Sequence, residues 1–168
     1  MMKTLMIFDE RNYDPGWECY ERHAVRAVII RGDSIAMVRS RTEGWYKFPG
    51  GGIEAKESHM DALIRETLEE TGLMILPDTV TELGYILERR KSLMDENRIF
   101  KQHSFYYLAE VAAGKQPQQL TDHEKELEYE LEWVDIRKAY ETDISFGEEI
   151  AFLRRESFVL SALVGVAS

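Results

Sequence analysis

The sequence predicts a single α/β (α+β) domain over residues 1–168. Three observations lead there. Short runs rich in Val, Ile and aromatic residues alternate with helical patterns. The clearest helical pattern follows directly on a run of glycines. No internal repeat, low-complexity tract or Pro/Gly/Ser-rich linker divides the chain, and its length suits one core.

Taken in order, residues 3–9 read as a short strand and 10–21 as an irregular lead-in around Pro15-Gly16. Residues 23–31 and 34–40 flank Gly32-Asp33 in the pattern of a hairpin. Residues 45–48 extend as another strand, and the run Pro49-Gly50-Gly51-Gly52 is expected to stop regular structure. Residues 58–71 form the strongest helix: Ser58 and Asp61 fit the capping-box spacing, and Gly72 stands where a left-handed C-terminal cap belongs. Residues 79–88, 99–111 and 129–134 read as strands, with a loop over 115–119. Asp135 caps a short helix through Tyr140. Residues 147–166 close the chain as a helix with apolar side chains at helical spacing, Leu153 and Leu160 among them.

Charge and cysteine content exclude several classes. Lys plus Arg number 21 against 31 Asp plus Glu, a net −10 that repels a phosphate backbone, so nucleic acid is not an expected partner. A lone cysteine, Cys19, excludes an intrachain disulfide and fits a reducing, cytoplasmic setting. No apolar run approaches the ~20 residues of a membrane span. An acidic protein still handles phosphorylated substrates when divalent cations stand between its carboxylates and the phosphates.

That possibility has a definite location. Glu57, Glu66, Glu69 and Glu70 fall within one loop and helix, and at about 100° per residue Glu66, Glu69 and Glu70 share a helix face. Like charges at this spacing repel, and Arg65 is the only basic residue among them. A bound Mg²⁺ or Mn²⁺ resolves the conflict, because hard cations take several carboxylate oxygens. The preceding glycines, Gly50, Gly51 and Gly52, permit close backbone approach and offer amides to phosphate oxygens at a helix start. The two features together favour a metal–phosphate site.

The stretch from Gly51 to Leu73 resembles the Nudix box, G-x5-E-x7-R-E-U-x-E-E-x-G-U with U aliphatic. Gly51, Glu57, Arg65, Glu66, Glu69, Glu70, Gly72 and Leu73 fill it, and Thr67 departs from it in the first aliphatic slot. Seven fixed matches have a chance probability on the order of 10⁻⁷ per frame. The resemblance implies an α/β/α sandwich with a mixed sheet and a metal-dependent hydrolase of a nucleoside diphosphate linked to another group X. It implies that Glu66, Glu69 and Glu70, with Gly51, ligate Mg²⁺ or Mn²⁺, that Glu57 assists the metal network and that Arg65 orients a glutamate.

Outside the box the candidates are weaker. Glu124, Glu126, Glu128 and Glu130 would share one side of an extended segment, with Glu126 and Glu128 offered as a later ligand or base. Arg39, Arg41 and the Arg89-Arg90-Lys91 cluster are candidates for phosphate contact. Met60, Ile64 and Leu68 form an apolar stripe opposite the acids, and Phe158-Val159-Leu160 another on the last helix. Packing within the chain is expected of both, with a homodimer contact as the alternative. Relatives that cleave diadenosine polyphosphates or ADP-ribose carry a Tyr or a Pro downstream of the box, where Glu88-Arg89-Arg90-Lys91 supplies neither. The coenzyme A signature is missing before it. The expectation is therefore a small-molecule nucleotide substrate, a nucleoside triphosphate first. The alternatives are a nucleotide sugar such as ADP-ribose, and a catalytically quiet nucleotide-sensing domain.

Overall fold

The structure is a computed structural model that describes residues 2–167. Among the described residues nine strands and four α-helices follow one another as β1 (Thr4–Asp9), β2 (Glu18–Val28), β3 (Ile30–Arg31), β4 (Ser34–Ser40), β5 (Tyr46–Lys47), β6 (Gly50–Gly52), α1 (His59–Thr71), β7 (Thr81–Lys91), β8 (Arg98–Leu108), α2 (Asp122–Glu126), β9 (Tyr129–Asp135), α3 (Ile136–Ile144) and α4 (Ala151–Ala167). A mixed five-stranded sheet runs β1-β7-β8-β2-β6, with β1–β7 and β2–β8 parallel and the other pairs antiparallel. A second, antiparallel sheet is centred on β4, which pairs with β3, β5 and β9. Among the described residues no helix is long and apolar enough to cross a membrane.

Alternation along β2 builds the layers. Val25, Ala27 and Ile29 face one core with Ala62 and Leu63 of α1, while Val28 faces another with Ala139 of α3 and Val159, Leu160 and Leu163 of α4. Helices thus cover both sides of the strands, the α/β/α arrangement that the box implied. The apolar residues of α4 are taken up by the chain's own core, with Phe158 and Val164 packed against it. On α1 the fully buried positions are Ala62, Leu63, Thr67, Glu70 and Thr71, and the stripe of Met60, Ile64 and Leu68 is half-buried beside them. Thr67, the departure from the box, is wholly enclosed.

The structure corrects several boundaries. The lead-in ends at Trp17: residues 18–21 belong to β2, in register with Arg98–Lys101 of β8. Their polar composition hid the strand, which Glu18–Arg98 and Glu21–Lys101 ion pairs stitch to its neighbour. The hairpin is only its tip, Ile30–Arg31 against Ser34–Ile35, because β2 leaves to pair with β8 and β6 in the other sheet. The glycine run does not stop regular structure; Gly50–Gly52 is β6, antiparallel to Ala24–Arg26. The acidic segment is not extended either, since Asp122–Glu126 is a helical turn closed by a capping box between Thr121 and Glu124. The helix after Asp135 runs on to Ile144.

Candidate active site

Helix α1 is set by its ends. Ser58 accepts a hydrogen bond from the Asp61 amide at 3.0 Å, and Gly72 closes the helix with φ 78° and its N–H on Leu68 O. Glu66 and Glu70 then face β6, and Glu57 and Glu69 flank Arg65. That arginine binds Glu57 through two nitrogens at 2.7 and 2.9 Å. Its Nη1 donates to Glu66 at 2.9 Å and to Glu69 at 3.3 Å, and its Nη2 donates to Gly52 O at 3.2 Å. The Arg65 guanidinium holds the Glu57 carboxyl down at about 2. Burial pushes Glu69 up, and Glu66 beside it adds to the rise. One guanidinium thus gathers three of the box acids without neutralising all of them.

Strand β6 presses against these acids. At Gly50 φ is 147°, and a Cβ there would lie 2.0 Å from Val25 O, so only glycine fits. A Cβ on Gly51 would lie 2.5 Å from Glu66 Oε2, so that position keeps the backbone against the carboxylate. Glu70, 2% exposed, accepts from the Gly50 amide at 2.8 Å and from Lys47 Nζ at 2.6 Å. Burial pushes Glu70 up to about 7 and Lys47 down, and their contact opposes both shifts. The segment carrying Lys47 is fixed from the other side. Asp143 of α3 accepts from Tyr46 N at 2.8 Å, and Glu156 of α4 accepts from Phe48 N at 3.3 Å.

The cavity above these groups holds about 310 Å³. It is lined by Glu66 and Glu70, by Gly50–Gly52, by the cations Arg22 and Arg26 of β2, Lys47 and Arg155 of α4, and by Gln102, Glu124, Tyr129 and Phe152. Arg22 donates to Gln102 at 2.8 Å, and burial lowers its pKa to about 10. Arg26 donates to Gly50 O at 3.0 Å, and its buried Nε has no hydrogen-bond partner among the described residues. Arg155 is buried with Nη1 2.7 Å from Glu88 and Nε 3.1 Å from Tyr106 Oη, which donates in turn to Glu156 at 2.9 Å. The donor set fits a hard divalent cation: carboxylate oxygens on one helix, a glycine carbonyl strand pressed onto them, and no sulfur or imidazole among the lining residues.

Sequence-derived candidates divide cleanly. Glu57, Arg65, Glu66, Glu69 and Glu70 come together, and Gly50, Gly51 and Gly52 form the wall beside them. Arg39 does not join them; it sits over the Tyr46 ring at 5.5 Å and 3.6 Å from Glu132. Arg41 lies 3.8 Å from Glu130, Arg89 pairs with Asp9, and Arg90 stacks on Phe100 at 4.5 Å. Glu126 and Glu128 are exposed and outside the cavity, and of the four later acids Glu124 reaches it because α2 turns the segment. Arg22, Arg26, Lys47 and Arg155 escaped sequence reasoning. A signal existed for two of them: Arg22 and Arg26 are four apart and fall on one face of a strand whose second half is otherwise apolar.

A family model described as NUDIX domain matches residues 21–153. An RNA pyrophosphohydrolase of Halorhodospira halophila is 30% identical over 131 residues, 73% of this chain and 72% of that protein. The uncharacterized Nudix hydrolase YvcI of Bacillus subtilis is 27% identical over 118 residues, 70% of this chain and 68% of that one. Among solved structures, a NUDIX hydrolase of Nitrosomonas europaea has a TM-score of 0.61 at 19% identity, covering 87% of this chain and 90% of its own. The MutT protein of Bacillus halodurans has a TM-score of 0.51 at 21% identity, covering 72% of each chain. Fold, box and family match agree: the chain belongs to the Nudix hydrolase family, enzymes that act on pyrophosphate bonds.

Proposed function

We propose that this enzyme hydrolyses a diphosphate linkage in a nucleoside diphosphate linked to X with the help of Mg²⁺ or Mn²⁺, and that its substrate is a nucleoside triphosphate. The observation that carries this reading is one cavity lined both by the α1 acids Glu66 and Glu70 and by the cations Arg22, Arg26 and Lys47. A chain of net charge −10 concentrates Arg22, Arg26 and Lys47 at one place, beside the buried Arg155 network, which suits a polyphosphate rather than a singly charged ligand.

Glu66, Glu69, Glu70 and the Gly51 carbonyl are the residues that would hold the cation. When bound, the cation neutralises charge on phosphoryl oxygens and lowers the pKa of water. Arg65 keeps Glu57, Glu66 and Glu69 in place through its hydrogen bonds. To hold the cation Glu70 would give up its Lys47 partner, and that ammonium would then be available to a phosphate oxygen. Arg26 Nε offers a further donor in the same cavity. Glu124 takes the place of Glu126 and Glu128 as the acid outside the box that ligates or accepts a proton. The Tyr129 and Phe152 rings at the rim offer surfaces for a nucleobase.

A second reading, the 5′-triphosphate end of an RNA, is favoured by the relatives named RNA pyrophosphohydrolase. The test is a panel of nucleoside triphosphates, a 5′-triphosphorylated oligonucleotide and ADP-ribose, each with Mg²⁺ or Mn²⁺, scored by released pyrophosphate, phosphate and monophosphate. Fastest turnover of free triphosphates supports the first reading, and of the oligonucleotide the second. Preference for ADP-ribose replaces both with the nucleotide-sugar alternative. Binding without turnover of any substrate identifies a sensor.

A further inference from the structure

The five-stranded sheet has a second face, and α1 covers only part of it. Under α1 that face carries Val25 and Ala27 of β2, with Ile29 just beyond the strand's end. Towards the start of the strand the same face carries Glu21 and His23, while Arg22 and Arg26 line the cavity on the opposite side. Parallel pairing sets His23 beside His103 of β8, and Glu21 beside Lys101.

One ligand atom from each of Glu21, His23 and His103 falls within 4.8 Å of the other two. The two imidazoles are stacked, with centroids 4.4 Å apart and planes 4° from parallel. His103 Nδ1 lies 2.7 Å from Tyr85 Oη. With its proton on Nδ1, His103 donates to Tyr85 and leaves a lone pair on Nε2. That Nε2 is buried, has no hydrogen-bond partner among the described residues, and stands 3.7 Å from Glu21 Oε1. An unpaired buried imidazole nitrogen costs stability, and anchoring the other ring nitrogen is how proteins orient histidines that bind metal.

We propose that Glu21, His23 and His103 form a second divalent-metal site, on the sheet face away from the catalytic cavity, for a borderline transition ion of the Zn²⁺ class. Two imidazole nitrogens and one carboxylate oxygen suit Zn²⁺ and disfavour Mg²⁺, which keeps to oxygen ligands. Tetrahedral bonds of ~2.0–2.2 Å place ligand atoms about 3.4 Å apart, so the donors close by at most about 1.4 Å, and the Glu21–His103 pair, at 3.7 Å, by only a few tenths. His23 and Glu21 are exposed and free to make that rotation. Lys101 Nζ, 3.0 Å from Glu21, neutralises the carboxylate until the ion displaces it. Bound metal would clip the open end of β2 to β8.

The experiment titrates the full chain with Zn²⁺ in excess Mg²⁺ against a chromophoric chelator, with ¹H–¹⁵N spectra of the imidazoles recorded alongside. We expect one Zn²⁺ per chain, weakened at least about tenfold by His23→Gln and by His103→Gln and unchanged by Glu66→Gln. Lys101→Met tightens binding severalfold. Tyr85→Phe, which touches no ion, loosens it about tenfold. The spectra place the metal on His103 Nε2 and the proton on Nδ1. Thermal melts check each variant's fold, and exposed His23 carries the test should His103→Gln not fold. Zn²⁺ uptake equal in wild type and His23→Gln, or lost in Glu66→Gln, overturns the site.

Discussion

Two arginines, Arg65 and Arg155, each gather carboxylates beside the same cavity, and they do so under opposite conditions. Arg65 is a quarter exposed and touches Glu57, Glu66 and Glu69, with Glu54 at 3.8 Å. Its acids outnumber it, and the excess negative charge faces the glycine strand. Arg155 is 3% exposed, and its partners Glu88 and Glu156 are buried with it around Tyr106. There every oxygen named is spent on structure, and Glu156 reaches on to the Phe48 amide that precedes the glycines. The difference teaches which cluster is built to receive a ligand. Surplus charge at a solvent-reachable wall awaits a cation, whereas a closed network in the interior holds the wall in place.

Substitutions separate the two. Arg155→Met leaves Glu88 and Glu156 buried and unpaired, so thermal or denaturant unfolding is expected to show a loss of about 3–5 kcal/mol. A loss under 1 kcal/mol would make the two clusters equivalent. Glu66→Gln is expected to reduce turnover at least about a hundredfold, some 2.7 kcal/mol of barrier, with an unchanged melting temperature. Arg65→Met is expected to cost about 10–100-fold in metal-dependent activity. Because Arg65 lies near solvent, it is expected to change stability by only about 1 kcal/mol. The smallest effect is a pH dependence on the α3–α4 side. Burial raises Asp143 from 3.8 to about 8, so the folded chain binds the extra proton between those values and stability falls as pH rises through that window. Asp143→Asn is expected to flatten the slope by about 1 kcal/mol per pH unit, measured by urea unfolding at a series of pH values. A slope that persists in the variant assigns it to another group.

The contrast also explains what was legible beforehand. The Arg65 cluster lies within Gly51–Leu73, where helical spacing alone brings the acids together, and both helix ends carry local capping residues. The Arg155 cluster joins α4 to β7 and β8, residues separated by 49 to 67 positions, and no local pattern announces such pairing. Strand pairing failed for the same reason. Apolar runs on either side of Gly32-Asp33 suggested one hairpin, but β2 is claimed by β8, a partner 80 positions away. Arg39 pairs with Glu132 away from the cavity, whereas the cavity uses Arg22 and Arg26, which share the face of β2 opposite Glu21, His23 and Val25. Glu124 outranked Glu126 and Glu128 only once the capping box at Thr121 turned the segment into helix.

The central claim is that surplus acid on α1 holds divalent cations against a polyphosphate. Its most direct measurement is Mn²⁺ uptake by electron paramagnetic resonance, with a non-hydrolysable triphosphate analogue present, for wild type, Glu66→Gln and Glu70→Gln. The account expects bound Mn²⁺ in the wild type and binding weakened at least about tenfold in both variants. No uptake by the wild type, or equal uptake by all three proteins, would contradict it.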